Sequence, residues 1–149
     1  MASTLKINTL TGVSTAGSIA VTGEGNSTTT NLQQGLCKAW NFISDADAGT
    51  IVQGDSFNTS SAIDNGTGLF RFPLTNAMAN TNYIHIGNPA GSPDSYHQVA
   101  IQDLAQQNSL DGRTTASFGI RNRNPTGNSG NPQDDDPANL GMGLIGDLA

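Results

Sequence analysis

Residues 63–74, which read IDNGTGLFRFPL, decide the fold. The pair Asn65-Gly66 is the strongest turn signal in the chain, because both residue types tolerate the positive φ angles of a tight β-hairpin turn. Beyond the turn, Phe70 and Phe72 are separated by an arginine, so one face of the returning strand is apolar and the other is polar. The stretch therefore predicts a β-hairpin whose returning strand supplies aromatic side chains to a core.

Other segments around the hairpin show the same two-residue period. Upstream, Cys37, Ala39 and Ile43 face one way while Trp40 and Phe42 face the other, which predicts a strand that is apolar on both faces. Proline cannot donate to a sheet, so Pro73 predicts that the returning strand lies at a sheet edge. Further strands are predicted over residues 83–87, 95–104, 114–122 and 140–146, with a short helix as the alternative over residues 95–104. The core of the body is expected to contain Trp40, Phe57, Phe70 and Phe72.

Many short strands with turn residues between them, and no convincing amphipathic helix, predict an all-β fold. We expect an antiparallel β-sandwich or barrel-like domain with an extended N-terminal arm. Residues 1–31 are assigned to the arm and its linker, and residues 32–149 to the β-sandwich body. The arm carries alternating apolar residues in two predicted short strands, one near residues 5–7 and one over 18–22. The polar run over residues 23–31 predicts the linker.

Composition excludes several classes of partner. The chain has 149 residues, with 6 Lys and Arg against 12 Asp and Glu, so its net charge is −6. Nucleic acid and anionic membrane surfaces are not expected partners, because both require clustered positive charge. No run of about 20 apolar residues is present to predict a transmembrane helix. The N-terminus has no apolar leader and the chain has one cysteine, so we expect folding in a reducing cytoplasm.

Sequence patterns for cofactor and metal binding are weak. Gly141, Gly143 and Gly146 match the spacing of a dinucleotide-binding loop, but no helix follows them to receive a pyrophosphate. His85 and His97 can form an acid–base or metal-binding pair only if their strands adjoin, and nothing in their spacing requires this. We therefore expect surface or interface histidines, and no cofactor or metal.

Catalytic patterns are equally weak. Cys37 has no adjacent histidine and no cluster of basic residues to activate it as a nucleophile, so it is expected to be a small buried hydrophobic residue. The run Asp134–Asp136 is expected to be solvated, with a cation bridge between subunits as the alternative. Isolated acids do not form the paired carboxylates of a glycan-processing enzyme. The protein is therefore not expected to be an enzyme, and exposure of Trp40 and Phe42 for stacking on sugar rings is the alternative to a core position.

Several predicted strands and turns of this chain resemble a β module of structural proteins in tailed bacteriophages, especially marine and cyanobacterial ones. The order and spacing of three groups carry the resemblance: residues 38–42 (KAWNF), residues 55–68 (DSFNTSS to DNGTG) and residues 77–83 (AMANTNY). Residues 114–121 resemble the penultimate strand of the module, residues 140–146 its closing strand, and residues 3–9 a segment that often precedes it. The chain departs most from the module over residues 88–112 and 122–139.

The resemblance implies a virion structural protein, of the kind found as capsid decoration or as tail fibres. A tail fibre needs a long shaft or many repeats, whereas this chain has a single small body with an arm. We therefore expect a homotrimeric capsid decoration (cement) protein on the capsid exterior. Its partners are expected to be itself and the phage major capsid protein. A short tail fibre or receptor-binding tip is the alternative. The expected capsid-binding residues are Leu5, Ile7, Leu10, Ile19 and Val21, and the expected trimer interface is Leu140, Met142 and Leu144.

Overall fold

The computed structural model describes residues 4–12, 19–23, 29–44, 50–90, 98–100, 112–124 and 133–148. The chain divides into two compact units, Met1–Leu36 and Cys37–Ala149. Within the described ranges, no helix is long and apolar enough to cross a membrane.

The first unit contains a small antiparallel pair of strands. Strand β1 (Ala20–Thr22) pairs with β2 (Thr29–Asn31), and a single helical turn, α1 (Leu32–Gly35), follows directly. The backbone N–H of Leu32 donates to the carbonyl of Ile19 at 2.8 Å, which closes this small structure. The expected polar linker is therefore partly a strand, and residues 4–12 form no strand where one was expected. Residues 24–28 of the expected linker lie outside the described residues.

The second unit is all-β and antiparallel, as predicted. Its strands in the described ranges are β3 (Cys37–Ser44), β4 (Val52–Phe57), β5 (Ile63–Asp64), β6 (Leu69–Pro73), β7 (Ile84–Ala90), β8 (Gln98–Ala100), β9 (Ser117–Asn124), β10 (Gln133–Asp134) and β11 (Asn139–Ile145). One sheet has the order β4-β3-β11-β7, and the other has the order β10-β9-β6-β5, with β8 also paired to β9. Two antiparallel sheets with a shared apolar interior are consistent with a β-sandwich.

The predicted hairpin is confirmed between β5 and β6. Gly66 and Gly68 have φ angles of 121° and 70°, and the N–H of Leu69 donates to the carbonyl of Gly66 at 2.8 Å. The edge position predicted from Pro73 is wrong, because β6 lies between β9 and β5 and Pro73 is its last residue. Proline is tolerated there because its register partner is the first residue of β9, Ser117, where the pairing ends.

The hydrophobic core is made of residues that point inward from both sheets. Phe72 and Phe118 stack with ring centroids 5.0 Å apart, and both are fully buried. Core positions for Phe70 and Phe72 are confirmed, whereas those for Trp40 and Phe57 are wrong, because these side chains are 37% and 52% exposed. The core residues are Ala39, Ile43, Phe70, Phe72, Met78, Tyr83, Phe118, Ile120, Leu140, Met142 and Leu144.

Asn58 fixes the chain where β4 ends. Its φ angle is 56°, a left-handed conformation that asparagine tolerates better than most residues. The side-chain amide donates to the carbonyl of Lys38 at 3.0 Å, and its oxygen accepts the backbone N–H of Asn76 at 2.7 Å. Asn58 therefore ties the end of β4 to β3 and to the segment after β6, which holds the neighbouring Phe57 beside β3.

Candidate interaction surface

The solvent-facing side of the sheet β4-β3-β11-β7, called here the outer face, is apolar. Pairing places residues of neighbouring strands on the same side of a sheet. Phe57, Trp40, Gly143 and Ile86 form one row across the four strands. The exposed large hydrophobic residues of this face are Trp40, Phe42, Val52, Phe57, Ile84 and Ile86. Most exposed apolar residues on a soluble protein occur singly, so a group of this size marks an interaction site.

Glycines lower the surface between the aromatic residues of the outer face. The ring of Phe42 lies against Gly54, where a Cβ atom would come within 3.1 Å of it, and reaches Gly141, where the distance would be 3.9 Å. At Gly143 a Cβ atom would meet only the Sγ of Cys37, at 3.6 Å, and the carbonyl of Ala39, at 3.7 Å. The outer face is therefore a ridge formed by β3 beside a depression formed by the glycines of β11.

Charge is absent from the register rows of the outer face. Besides its apolar residues and glycines, the pairing places Ser44, Asn88 and Asn139 on this side, all of them uncharged. The nearest acid along these strands is Asp55, in the irregular part of the edge strand β4. Its carboxylate accepts the N–H of Ser56 at 2.8 Å. The paired positions are therefore uncharged and the one acid on these strands lies at the edge, so the face suits an apolar partner surface better than an ionic ligand.

Strand β11 has one side in the core and the other side on the outer face. Leu140, Met142 and Leu144 point inward and are 0%, 4% and 0% exposed within one chain. Within one chain the side chains of these three residues, which are expected at a trimer interface, are covered by the core, and that expectation stays a prediction. The surface that β11 leaves accessible is its opposite side, which carries Gly141 and Gly143.

The arm residues are largely uncovered. Leu5, Ile7, Leu10 and Val21 are 50% exposed or more, and Leu5 reaches 78%. Ile19 is half-buried, beside the strand pair β1–β2. The structure does not gather these five side chains into a single cluster of its own, and within residues 4–12 no regular element orients them.

His85 is a buried residue without a hydrogen-bond partner on either ring nitrogen among the described groups. Its ring makes an edge contact with Tyr83, at 5.2 Å between centroids, and lies 5.3 Å from Phe118. Burial, with a smaller contribution from the positive charge of Arg113, lowers the pKa of His85 to about 4. His85 is thus a neutral core residue, which corrects the expected surface position, and His97 lies outside the described residues.

Two other expected features are also placed differently by the structure. Cys37 is exposed rather than buried. Asp134 forms a two-pronged ion pair with Arg121, at 2.6 and 2.7 Å, and its charge lies 3.4 Å from Arg123. The carboxylate of Asp136 accepts the N–H of Gly68 at 2.5 Å. This acidic run is therefore built into the sheet, and the part of the chain that the structure describes holds no group of three or more His, Cys, Asp and Glu able to bind a metal.

Sequence reasoning missed the contribution of β7 to the outer face. The alternation of Tyr83 and His85 with Ile84 and Ile86 was visible, but not which pair faced solvent. The structure buries Tyr83 and His85 and exposes Ile84 and Ile86 at 62% and 56%. The signal available in the sequence was that β3 is apolar on both sides, so a second apolar face had to exist.

Comparison with known proteins finds no matching family model, no matching curated protein and no matching solved structure.

Proposed function

We propose that this protein is a structural component of a bacteriophage virion, a homotrimeric capsid decoration protein that binds the major capsid protein through its N-terminal arm. The observation that carries the proposal is the large apolar outer face on an acidic chain. A surface of this kind supports a role in permanent assembly. The resemblance of residues 38–83 to virion β modules supports the same class of protein. The proposed role is structural and not enzymatic.

The arm supports the anchoring step. Its apolar side chains are exposed, and the β1–β2 pair has only two strands. An isolated two-stranded pair is marginally stable in water and gains stability when a partner adds a strand or covers it. We therefore expect Leu5, Ile7, Leu10, Ile19 and Val21 to be covered on the capsid.

The test is a binding assay on capsids from which the protein has been removed. Bound copies are counted by quantitative mass spectrometry for the full chain and for the triple variant Leu5→Ser, Ile7→Ser, Leu10→Ser. Loss of about 0.8 kcal/mol per buried CH₂ group predicts a large fall in occupancy for this variant. A matched control, Thr4→Ser, Asn8→Ser, Thr9→Ser, changes the same segment without removing large apolar groups and should bind normally. Equal occupancy of both variants, or a wild-type copy number of tens or fewer per virion, contradicts the proposal.

A short tail fibre or receptor-binding tip is the second candidate, and one observation favours it. Trp40, Phe42 and Phe57 are exposed on one side of a single sheet, and aromatic rings stack on the apolar faces of sugars. Since Trp40 is not in the core, Trp40→Ala should lower the melting temperature only slightly. If that variant melts near wild type but its virions no longer adsorb to host cells, the receptor-binding role is favoured. Normal adsorption contradicts that role.

A further inference from the structure

We infer that the outer face binds a second copy of this chain, so that the body self-associates through the apolar side of the sheet β4-β3-β11-β7. The inference specifies the surface behind the homotrimer of the proposed function, but it does not require a capsid. It moves the contact from the buried side of β11, where Leu140, Met142 and Leu144 lie, to the opposite side.

The size of the apolar area fits a protein partner. Six side chains of the outer face are between 37% and 62% exposed. At about 200 Å² for a large side chain, these fractions leave roughly 600 Å² of apolar surface in water. That is at the upper limit of about 300–600 Å² for the largest patch on a typical monomer, and close to the ~800 Å² per partner of a standard interface.

Electrostatics limits where two copies of this chain can meet. Each copy carries a net charge of −6, so most pairings of two copies place acids against acids. Like charges across an interface cost several kcal/mol, on the order of what a whole hot spot contributes. The paired positions of the outer face carry no charge, and the one acid on its described strands, Asp55, lies on the edge strand β4, so two copies can meet over the central strands without placing acids against acids.

The outer face carries both a ridge and a depression, as a head-to-tail contact between copies in a ring requires. Trp40 and Phe42 on β3 stand beside the glycines of β11, and among the described residues the one side-chain atom within 4 Å of a Cβ position at Gly143 is the Sγ of Cys37. A ridge of one copy can therefore enter the depression of another. Aromatic residues seated in such depressions are the usual energetic centres of interfaces.

The first experiment measures mass against concentration for the full chain by sedimentation equilibrium, from about 1 to about 100 µM, a range that covers Kd values of ordinary assemblies. Wild type should rise reversibly above the 15.4 kDa of one chain. Ile86→Asp places a carboxylate on the outer face and should weaken association at least about 100-fold. Ile86→Thr keeps a β-branched residue and adds no charge, and should weaken it roughly five-fold.

The control is Ile63→Asp, because Ile63 is 41% exposed and lies on β5, in the other sheet. It adds the same charge and should leave association nearly unchanged. Circular dichroism checks that every variant keeps the wild-type fold. A wild-type mass of 15.4 kDa over the whole range, or equal dissociation of the Ile63 and Ile86 variants, overturns the inference.

A second readout uses Cys37 as a probe. Its exposed thiol shares a register row of the outer face with Ile145 and Ile84. The rate of its reaction with a disulfide reagent should fall as wild type associates, and should not depend on concentration in Ile86→Asp. A rising mass with an unchanged thiol rate means that association uses another surface, which overturns the inference while leaving capsid binding through the arm untouched.

Discussion

His85 shows how a single residue can make this fold sensitive to pH. The ring is 7% exposed and has no hydrogen-bond partner among the described groups, so a positive charge on it would be poorly solvated. Burial and the nearby Arg113 lower its pKa from 6.5 to about 4. The unfolded chain therefore binds a proton more readily than the folded one. Stability that is fully present above the ordinary histidine pKa is lost as the pH falls from about 6.5 towards about 4.

We predict that the free energy of unfolding falls by about 2 kcal/mol between about pH 7.5 and about pH 5. Urea unfolding at the two pH values measures this loss. His85→Leu removes the titrating ring while filling the same apolar space, and should make the stability nearly constant over this range. Carboxylates titrate mostly below about pH 5, so they contribute little to the difference. An unchanged loss in the variant would assign the effect to another group.

At the scale of elements, the β5–β6 turn makes hydrogen bonds beyond its own hairpin, to strand β9 and to the acidic run Asp134–Asp136. The N–H of Gly68 donates to the carboxylate of Asp136, and the carbonyl of Gly68 accepts the N–H of Asn122 at 2.7 Å. A Cβ atom at Gly68 would lie 2.5 Å from the carbonyl oxygen of Asn122, whereas a Cβ atom at Gly66 would meet nothing within 4 Å. Gly68 is therefore required for a close approach between the turn, β9 and the acidic run.

We predict that Gly68→Ala destabilises the protein more than Gly66→Ala does. Both substitutions put alanine at a positive φ angle, which costs about 1–3 kcal/mol. Only Gly68→Ala also places a Cβ atom against the backbone of Asn122 and Asp135. It should therefore lower the free energy of unfolding by clearly more than about 1–3 kcal/mol. Thermal or urea unfolding of the two variants measures the difference. Equal destabilisation would show that the packing around Gly68 relaxes without cost.

The elements that the sequence predicted are those with a clear period and clear turns. Strands β3, β9 and β11 and the turn at Asn65-Gly66 belong to this group. Strands β2 (Thr29–Asn31) and β10 (Gln133–Asp134) could not be predicted, because they contain no apolar residue to alternate. The pairing of β10 depends on a distant contact, the ion pair between Asp134 and Arg121. The outer face could be predicted only in part, for a related reason. Alternation in a strand shows that its two sides differ, but packing against the other sheet decides which side is buried.

At the scale of the whole molecule, charge and apolar surface act in opposite directions. A net charge of −6 keeps copies apart in solution, while the outer face and the exposed arm favour association. The self-association proposed above is therefore expected to strengthen where the concentration of the protein is high or its charge is screened.

The opposition between net negative charge and apolar surface predicts that self-association becomes stronger as salt is added. Raising the ionic strength from about 0.01 M to about 0.1 M shortens the Debye length from about 30 Å to about 10 Å, which screens the repulsion between two acidic bodies. An apolar interface is not weakened by this change, so the association constant should increase several-fold. Sedimentation equilibrium at the two ionic strengths measures it. An association constant that falls with salt would show an interface held by ion pairs and would contradict an apolar one.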